Sequence, residues 1–156
     1  MTIDFNLNAL LSYLKENQLQ PELQKETNQI FILYHIQNFE VPVFFLLNKE
    51  SKLLQIVAYL PYQLPDKTLD NTARLLHLLN KELDMPGFGI DEQNKFMFYR
   101  AVVPCLDGNI EKRLFNMYLG TTRIACDTFM HAIGIVVSGT STVDALMKEQ
   151  HKKDDV

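Results

Sequence analysis

The stretch from Pro86 to Pro104, PGFGIDEQNKFMFYRAVVP, contains a G-x-G spacing that can form a phosphate-binding loop. A dinucleotide site needs a third glycine, and it lies between a strand and the start of a helix, whose backbone amides bind the pyrophosphate. Here position 92 is Glu92, a helical pattern precedes Gly87, and a strand pattern follows Gly89. The Gly-Lys-Ser/Thr sequence of a P-loop is also absent. The glycines are therefore interpreted as a helix C-cap and the entry to a strand.

Two further groups of polar residues could act in catalysis or bind a metal. Asp91 and Glu92 form an acidic pair, but they lie in a polar turn, whereas an acid–base carboxylate needs burial to raise its pKa. Arg123, Asp127 and His131 recur at four-residue spacing, which predicts ion pairs along a helix surface. A closed metal site would need three or four ligands. We therefore expect no catalytic, metal-binding or cofactor-binding residues, and no enzyme.

Composition narrows the class of protein. The 156 residues carry a net charge of −4, and their basic residues are scattered. Nucleic-acid binding needs clustered lysine and arginine, so we do not expect it. The N-terminus lacks the features of a signal peptide, and no apolar stretch is long enough to span a membrane. Cys105 and Cys126 have no zinc or redox spacing. The two alternatives are a structural disulfide and free thiols in a reducing cytoplasm, of which the free thiols are favoured. We expect a cytoplasmic protein that does not bind membranes.

The hydrophobic pattern predicts one domain at residues 1–150 and a solvated tail at 151–156. The predicted elements are a helix at 6–17, strands at 29–36, 41–47 and 52–60, a helix from about 65 to 84, strands at 88–90 and 95–103, and helices at 109–137 and 142–150. Pro42 cannot donate a hydrogen bond, so that end of its strand should face an edge or a bulge. Strands in a block with helices outside it indicate an α+β fold, here with a five-stranded antiparallel sheet.

One predicted strand, Phe96–Val103, is apolar on both of its faces, and so is Val43–Leu47. A strand that is half exposed should instead alternate apolar and polar residues. Either helices cover both sides of the sheet, or one side contacts a partner. The predicted protein-interaction residues are Phe44, Phe45, Leu75, Leu78, Phe96, Phe98 and Tyr99.

Two segments resemble known proteins. Leu75–Pro104, LLHLLNKELDMPGFGIDEQNKFMFYRAVVP, and Gly139–Glu149, GTSTVDALMKE, resemble the YbjN-type family and the related type III secretion chaperone-like fold. The resemblance implies a small, acidic, non-enzymatic and often dimeric protein without a family active site.

The resulting prediction is a non-catalytic protein-binding or regulatory module of the YbjN type, with a protein partner or as a homodimer. One alternative is a type III secretion chaperone that holds an effector segment on an apolar surface. A second alternative is a small-molecule-binding enzyme.

Overall fold

The structure is a computed structural model that describes every residue from Met1 to Val156. Its helices are α1 (Leu7–Glu16), α2 (Leu69–Glu82), α3 (Lys112–Val137) and α4 (Val143–Asp154). Its strands are β1 (Thr2–Asp4), β2 (Glu22–Gln24), β3 (Gln29–Ile36), β4 (Phe39–Asn48), β5 (Leu53–Gln63), β6 (Phe88–Asp91), β7 (Phe96–Pro104) and β8 (Asn109–Glu111).

A six-stranded antiparallel sheet in the order β2-β3-β4-β5-β7-β6 forms the larger layer of the molecule, and β1 pairs with β8 in a separate sheet. The predicted α+β class is confirmed. The predicted count of five strands is wrong, because β1, β2 and β8 have only three residues each and are too short to show a period. The third helix consequently begins at Lys112 and not at Asn109, since Asn109–Glu111 pairs with β1.

Pro42 lies where β4 has a neighbouring strand on one side only. It is opposite Leu33 of β3, whereas the pairing of β4 with β5 begins one residue later, at Val43 and Ala58. On its other side β5 pairs with β7, and the register of that pairing shifts between Tyr59 and Gln63. The prediction that this end of the strand faces an edge or a bulge is therefore confirmed.

The helices pack on one face of the sheet, and the core lies between these two layers. α1 is capped by Asn6, whose side chain accepts a hydrogen bond from the Ala9 N–H at 2.8 Å. Four strands, β3, β4, β5 and β7, supply most of the inward side chains. These include Ile30, Ile32, Tyr34, Ile36, Val41, Val43, Phe45, Leu54, Ile56, Ala58, Met97, Tyr99, Ala101 and Val103. They form one core cluster with side chains of all four helices, which include Leu14, Leu75, Phe115 and Val143.

The C-terminal segment differs from the prediction in one respect. Residues 151–156 are exposed, as expected of a solvated tail, but α4 continues through them to Asp154. The helix is held to the rest of the chain near its start, where Val143 is buried and Asp144 accepts a hydrogen bond from Arg74 at 2.8 Å.

Candidate protein-interaction surface

Four aromatic rings form a row across the sheet face that carries no helix. Phe31 and Phe44 stack with their ring centroids 5.2 Å apart. Tyr59 then meets Phe44 edge-on at 5.5 Å and Phe96 edge-on at 5.1 Å. The four residues belong to β3, β4, β5 and β7, so this aromatic row crosses four neighbouring strands. Such offset and edge-on pairs stabilise each other beyond the apolar area that they bury.

We define the open face as the sheet face that contains the aromatic row. Its outward side chains are mostly apolar and include Phe31, Leu33, Pro42, Phe44, Leu46, Gln55, Val57, Tyr59, Phe96, Phe98, Arg100 and Val102, with His35 and Glu40 at one end. None of them belongs to the core cluster or packs against it. Val57 is 5% exposed, yet it lies outside the core, between Phe44 and Arg100 on the neighbouring strands. The open face is therefore an apolar layer that the chain itself does not cover.

Three of the predicted interaction residues, Phe44, Phe96 and Phe98, lie on the open face and are half-buried. Their exposure agrees with the predicted position, and an interaction there stays a prediction. Sequence reasoning missed Phe31 and Tyr59, although each alternates with inward-facing residues in a predicted strand. This alternation was the signal that could have placed them on the same face.

The other predicted interaction residues offer little or no surface to a partner. Phe45, Tyr99 and Leu75 are 0%, 1% and 6% exposed and belong to the core, which corrects their predicted position. The reason is that successive residues of a strand point to opposite faces, so Phe45 points inward where Phe44 points outward. Leu78 is half-buried and packs against the same core.

The two glycines of the opening stretch lie where β7 comes unusually close. The predicted strand entry is confirmed, because β6 begins at Phe88. The predicted helix C-cap is wrong, because α2 ends at Glu82 and neither glycine has a positive φ. A Cβ atom on Gly87 would lie 2.4 Å from the carbonyl oxygen of Arg100, and one on Gly89 would lie 2.6 Å from the ring of Phe98.

The acidic turn has the properties of a solvated turn. The Asp91 carboxylate accepts hydrogen bonds from the backbone N–H and the side-chain Nδ2 of Asn94, both at 2.9 Å. These bonds hold the pKa of Asp91 below its ordinary value. A general acid would need a raised pKa, so the arrangement is opposite to the one that acid–base catalysis requires. Asp91 in turn contributes to the raised pKa of Tyr59, whose main cause is burial.

The predicted ion pairs along α3 do not form. The guanidinium of Arg123 instead lies over the ring of Tyr34, with Cζ 4.9 Å from the centroid, and no carboxylate is within 4.0 Å of it. The carbonyl oxygen of Asp127 accepts a hydrogen bond from Gln37 at 3.2 Å. No group of three or more His, Cys, Asp or Glu side chains with metal-binding geometry includes His131 or any other residue.

Both cysteines are free, as predicted, and both are buried. Burial raises the pKa of the Cys126 thiol from its ordinary value of 9.0 to about 12. Between pH 9.0 and about 12, the folded chain keeps the thiol proton that the unfolded chain releases. The thiol therefore destabilises the fold as the pH rises through this range. Each pH unit between these values should lower the free energy of unfolding by about 1.4 kcal/mol from this group.

Urea unfolding at a series of pH values below and above 9.0, the ordinary pKa of a thiol, measures how the free energy of unfolding changes with pH. Buried tyrosines, Tyr34 above all, also have raised pKa values and act in the same direction in any variant. The Cys126→Ala variant should therefore lose stability less steeply with pH than the wild type. Equal slopes for the two proteins would contradict the assignment to this thiol.

None of the helices combines the length and the apolar character needed to cross a membrane. The model of the YbjN family, described as "Putative bacterial sensory transduction regulator", matches residues 6–134. The crystal structure of YbjN from E. coli, described as "a putative transcription regulator", is similar in fold, with a TM-score of 0.59 and 10% sequence identity. That similarity covers 86% of this chain and 91% of the E. coli chain. No curated protein sequence matches the chain. The family match extends from the cap of α1 into the last turn of α3, and the chain therefore belongs to the YbjN family.

Proposed function

We propose that this chain is a non-catalytic regulatory module that acts by binding a partner protein on its open face. The observation that carries the proposal is the aromatic row, which crosses four strands without a covering helix. Soluble proteins seldom expose a continuous apolar patch unless it has a function. Aromatic residues and arginine are also enriched at the centres of protein interfaces. The family's description as a sensory transduction regulator supports the regulatory part.

The shape of the open face favours a protein over a small molecule. Small-molecule sites are concave pockets that enclose most of their ligand. Three grooves, of about 780, 460 and 400 Å³, lie at the periphery of the sheet, and the second is lined in part by Phe98, Arg100 and Val102 of the open face. None of them is lined by Phe44, Tyr59 or Phe96, which form the middle of the aromatic row. A broad surface of this kind matches the flat centre of a protein interface.

Arg100 adds a charge to this apolar surface. Its guanidinium lies over the ring of Phe98, with Cζ 5.9 Å from the centroid, and it makes no ion pair within the chain. An arginine that is held on an aromatic ring and lacks a carboxylate partner suits a partner that supplies one. We therefore expect the partner surface to be apolar with an acidic residue near Arg100.

The Phe96→Asp variant tests the proposal. The tagged chain is used to capture partners from its native host, and the captured proteins are compared by quantitative mass spectrometry. Phe96→Asp should weaken capture of a specific partner by about 30-fold or more, the effect of losing a central interface residue. Thr128→Asp, a matched change at an exposed position of α3, should leave capture unchanged.

Both variants should keep the circular dichroism spectrum of the wild type, because neither site belongs to the core. Phe96→Asp should lower the thermal midpoint by about 2 to 4 °C, because it loses the ring contact with Tyr59 and places a carboxylate opposite Asp91. Light scattering distinguishes a different protein from a second copy. A dimer that Phe96→Asp splits would identify the partner as a second copy of this chain. Capture that is equally strong with Phe96→Asp and with the wild type would contradict the proposal.

A further inference from the structure

The outer edge of β3 is paired along only part of its length. β4 pairs with one side of β3 as far as Ile36, but β2 pairs with the other side only at Gln29–Phe31. Alternate residues of a strand direct their N–H and C=O groups to the same side. At least two residues within Ile32–Ile36 therefore direct both groups outward, and no other backbone or side-chain group of the chain bonds to them. We call this segment the free edge.

The connection between α1 and β2 turns away from the free edge. Gln18 and Gln20 both have left-handed backbone angles, with φ of 60° and 49°, and Pro21 follows them. The connection makes no hydrogen bond to β3. A groove of about 400 Å³ consequently lies between this connection and the strand, and Leu33, Tyr34 and Arg123 line its walls.

At the opposite edge of the sheet, a side chain covers the backbone where β6 begins. The side chain of Asn80 donates to the carbonyl of Phe88 at 2.9 Å and accepts from the N–H groups of Phe88 and Gly87 at 2.9 and 3.1 Å. β7 ends at Pro104, which has no N–H to donate. Side-chain coverage, proline and lysine are the usual means of blocking an edge, and the free edge has none of them.

The surroundings of the free edge indicate what could pair with it. Arg123 faces the groove on the helix side of the sheet and has no carboxylate within 4.0 Å. Leu33 is 41% exposed on the other side, the open face. His35 is also on that side, next to Glu40 at 3.9 Å, and Glu22 lies beyond Phe31. A carboxylate of an added strand is therefore favoured on the helix side and opposed on the open-face side near Glu22.

We propose that the free edge takes up an extended segment of a partner protein as an additional strand. The segment places a carboxylate against Arg123 and, at the flanking positions, apolar side chains beside Leu33. Because side chains alternate along a strand, the required sequence is an acidic residue between two apolar ones. The inference rests on the proposed function, since it names the class of partner and continues the open face to the edge of the sheet.

A library of random linear peptides displayed on phage supplies the probe. Selection on the intact chain should enrich sequences with an acidic residue between apolar, mostly β-branched residues. A synthetic peptide of the selected sequence should slow hydrogen exchange of amides within Ile32–Ile36. Arg123→Glu should weaken its binding by about tenfold or more, whereas Arg113→Glu, the same charge change elsewhere on α3, should not. When the backbone nitrogens of the peptide are methylated one at a time, only methylation at every second residue should abolish binding, because alternate N–H groups of an added strand donate to β3.

Three results would overturn the inference: no enrichment of this pattern, selected peptides that bind Arg123→Glu as well as the wild type, or protection of other segments. Protection of Ile32–Ile36 without peptide that disappears on dilution would also overturn it, because a second copy would then occupy the edge. Capture of the native-host partner by different variants distinguishes failure of this inference from failure of the proposed function. A partner lost with Phe96→Asp but retained with both Arg123→Glu and Leu33→Lys would leave the open face as the binding surface and remove the free edge from it.

Discussion

Phe45→Ala should lower the free energy of unfolding by about 3 to 5 kcal/mol, the usual cost of truncating a fully buried phenylalanine. The side chain is 0% exposed, and its ring centroid lies 5.7 Å from that of Phe115 in α3. Removing it leaves a cavity between the sheet and this helix, which the surrounding side chains fill only in part. Its neighbour Phe44 points to the open face, so Phe44→Ala should cost only about 1 kcal/mol through the lost ring contacts with Phe31 and Tyr59.

Equilibrium unfolding in urea measures both values, and the unchanged slope against urea concentration verifies that the unfolded states are comparable. The contrast between the two variants tests the assignment of faces directly, because the residues are adjacent and chemically identical. A loss of similar size for Phe44→Ala would contradict an uncovered open face. A dependence of that loss on protein concentration would then show that a second copy covers it.

Phe44 and Phe45 also show which part of the structure can be predicted from the sequence and which part cannot. The period of two in VPVFFLL predicts that Phe44 and Phe45 point to opposite faces. It cannot predict which of these faces the helices cover, because both are apolar. That choice depends on the handedness with which the connection after β5 leads into α2, and it is not visible in a single strand.

The length of a helix or strand decides whether it can be predicted from the sequence. α1, α2, β3, β4, β5 and β7 each contain enough residues to show a period, and the predicted bounds lie within a few positions of theirs. β6 has only four residues, and the polar turn that joins it to β7 indicates it. β1, β2 and β8 depend on pairing with partners distant in sequence, such as Ile3 with Ile110. Local patterns carry no information on such pairings, so these strands had to come from the structure.

The interaction surface was predicted in part for a related reason. The prediction includes Tyr99 with Phe96 and Phe98 because both faces of this strand are apolar, but Tyr99 belongs to the core and its hydroxyl donates to the Met85 carbonyl at 2.6 Å. The prediction omits Phe31 because its face of β3 also carries the polar residues Gln29 and His35, so this strand does not show two apolar faces in the sequence. A continuous aromatic surface arises from the register of four strands, which aligns Phe31 with Phe44 and Tyr59 with Phe98.

Gly87→Ala should lower the free energy of unfolding by about 3 kcal/mol, the upper part of the range for overpacked sites. The added Cβ would lie 2.4 Å from the carbonyl oxygen of Arg100 and 2.9 Å from the ring of Tyr99. Neither neighbour can move easily, because the first belongs to the backbone of Arg100, whose N–H donates to the Gly87 carbonyl at 2.9 Å, and the second is buried. Urea unfolding gives the loss, and hydrogen exchange should show the pairing of β6 with β7 opening first.

Alanine variants at two other glycines serve as controls for this prediction, because an added Cβ has different neighbours at each position. At Gly89 the obstacle is the outer end of the Phe98 ring, which can rotate toward solvent on the open face, so Gly89→Ala should cost less, about 1 to 2 kcal/mol. At Gly120, within α3, nothing lies within 4 Å, and Gly120→Ala should stabilise the chain by about 0.5 to 1 kcal/mol through the higher helix propensity of alanine. If Gly87→Ala were instead as stable as the wild type, the backbone of β7 would have to move away from β6 at Arg100. The glycine would then be tolerated there rather than required.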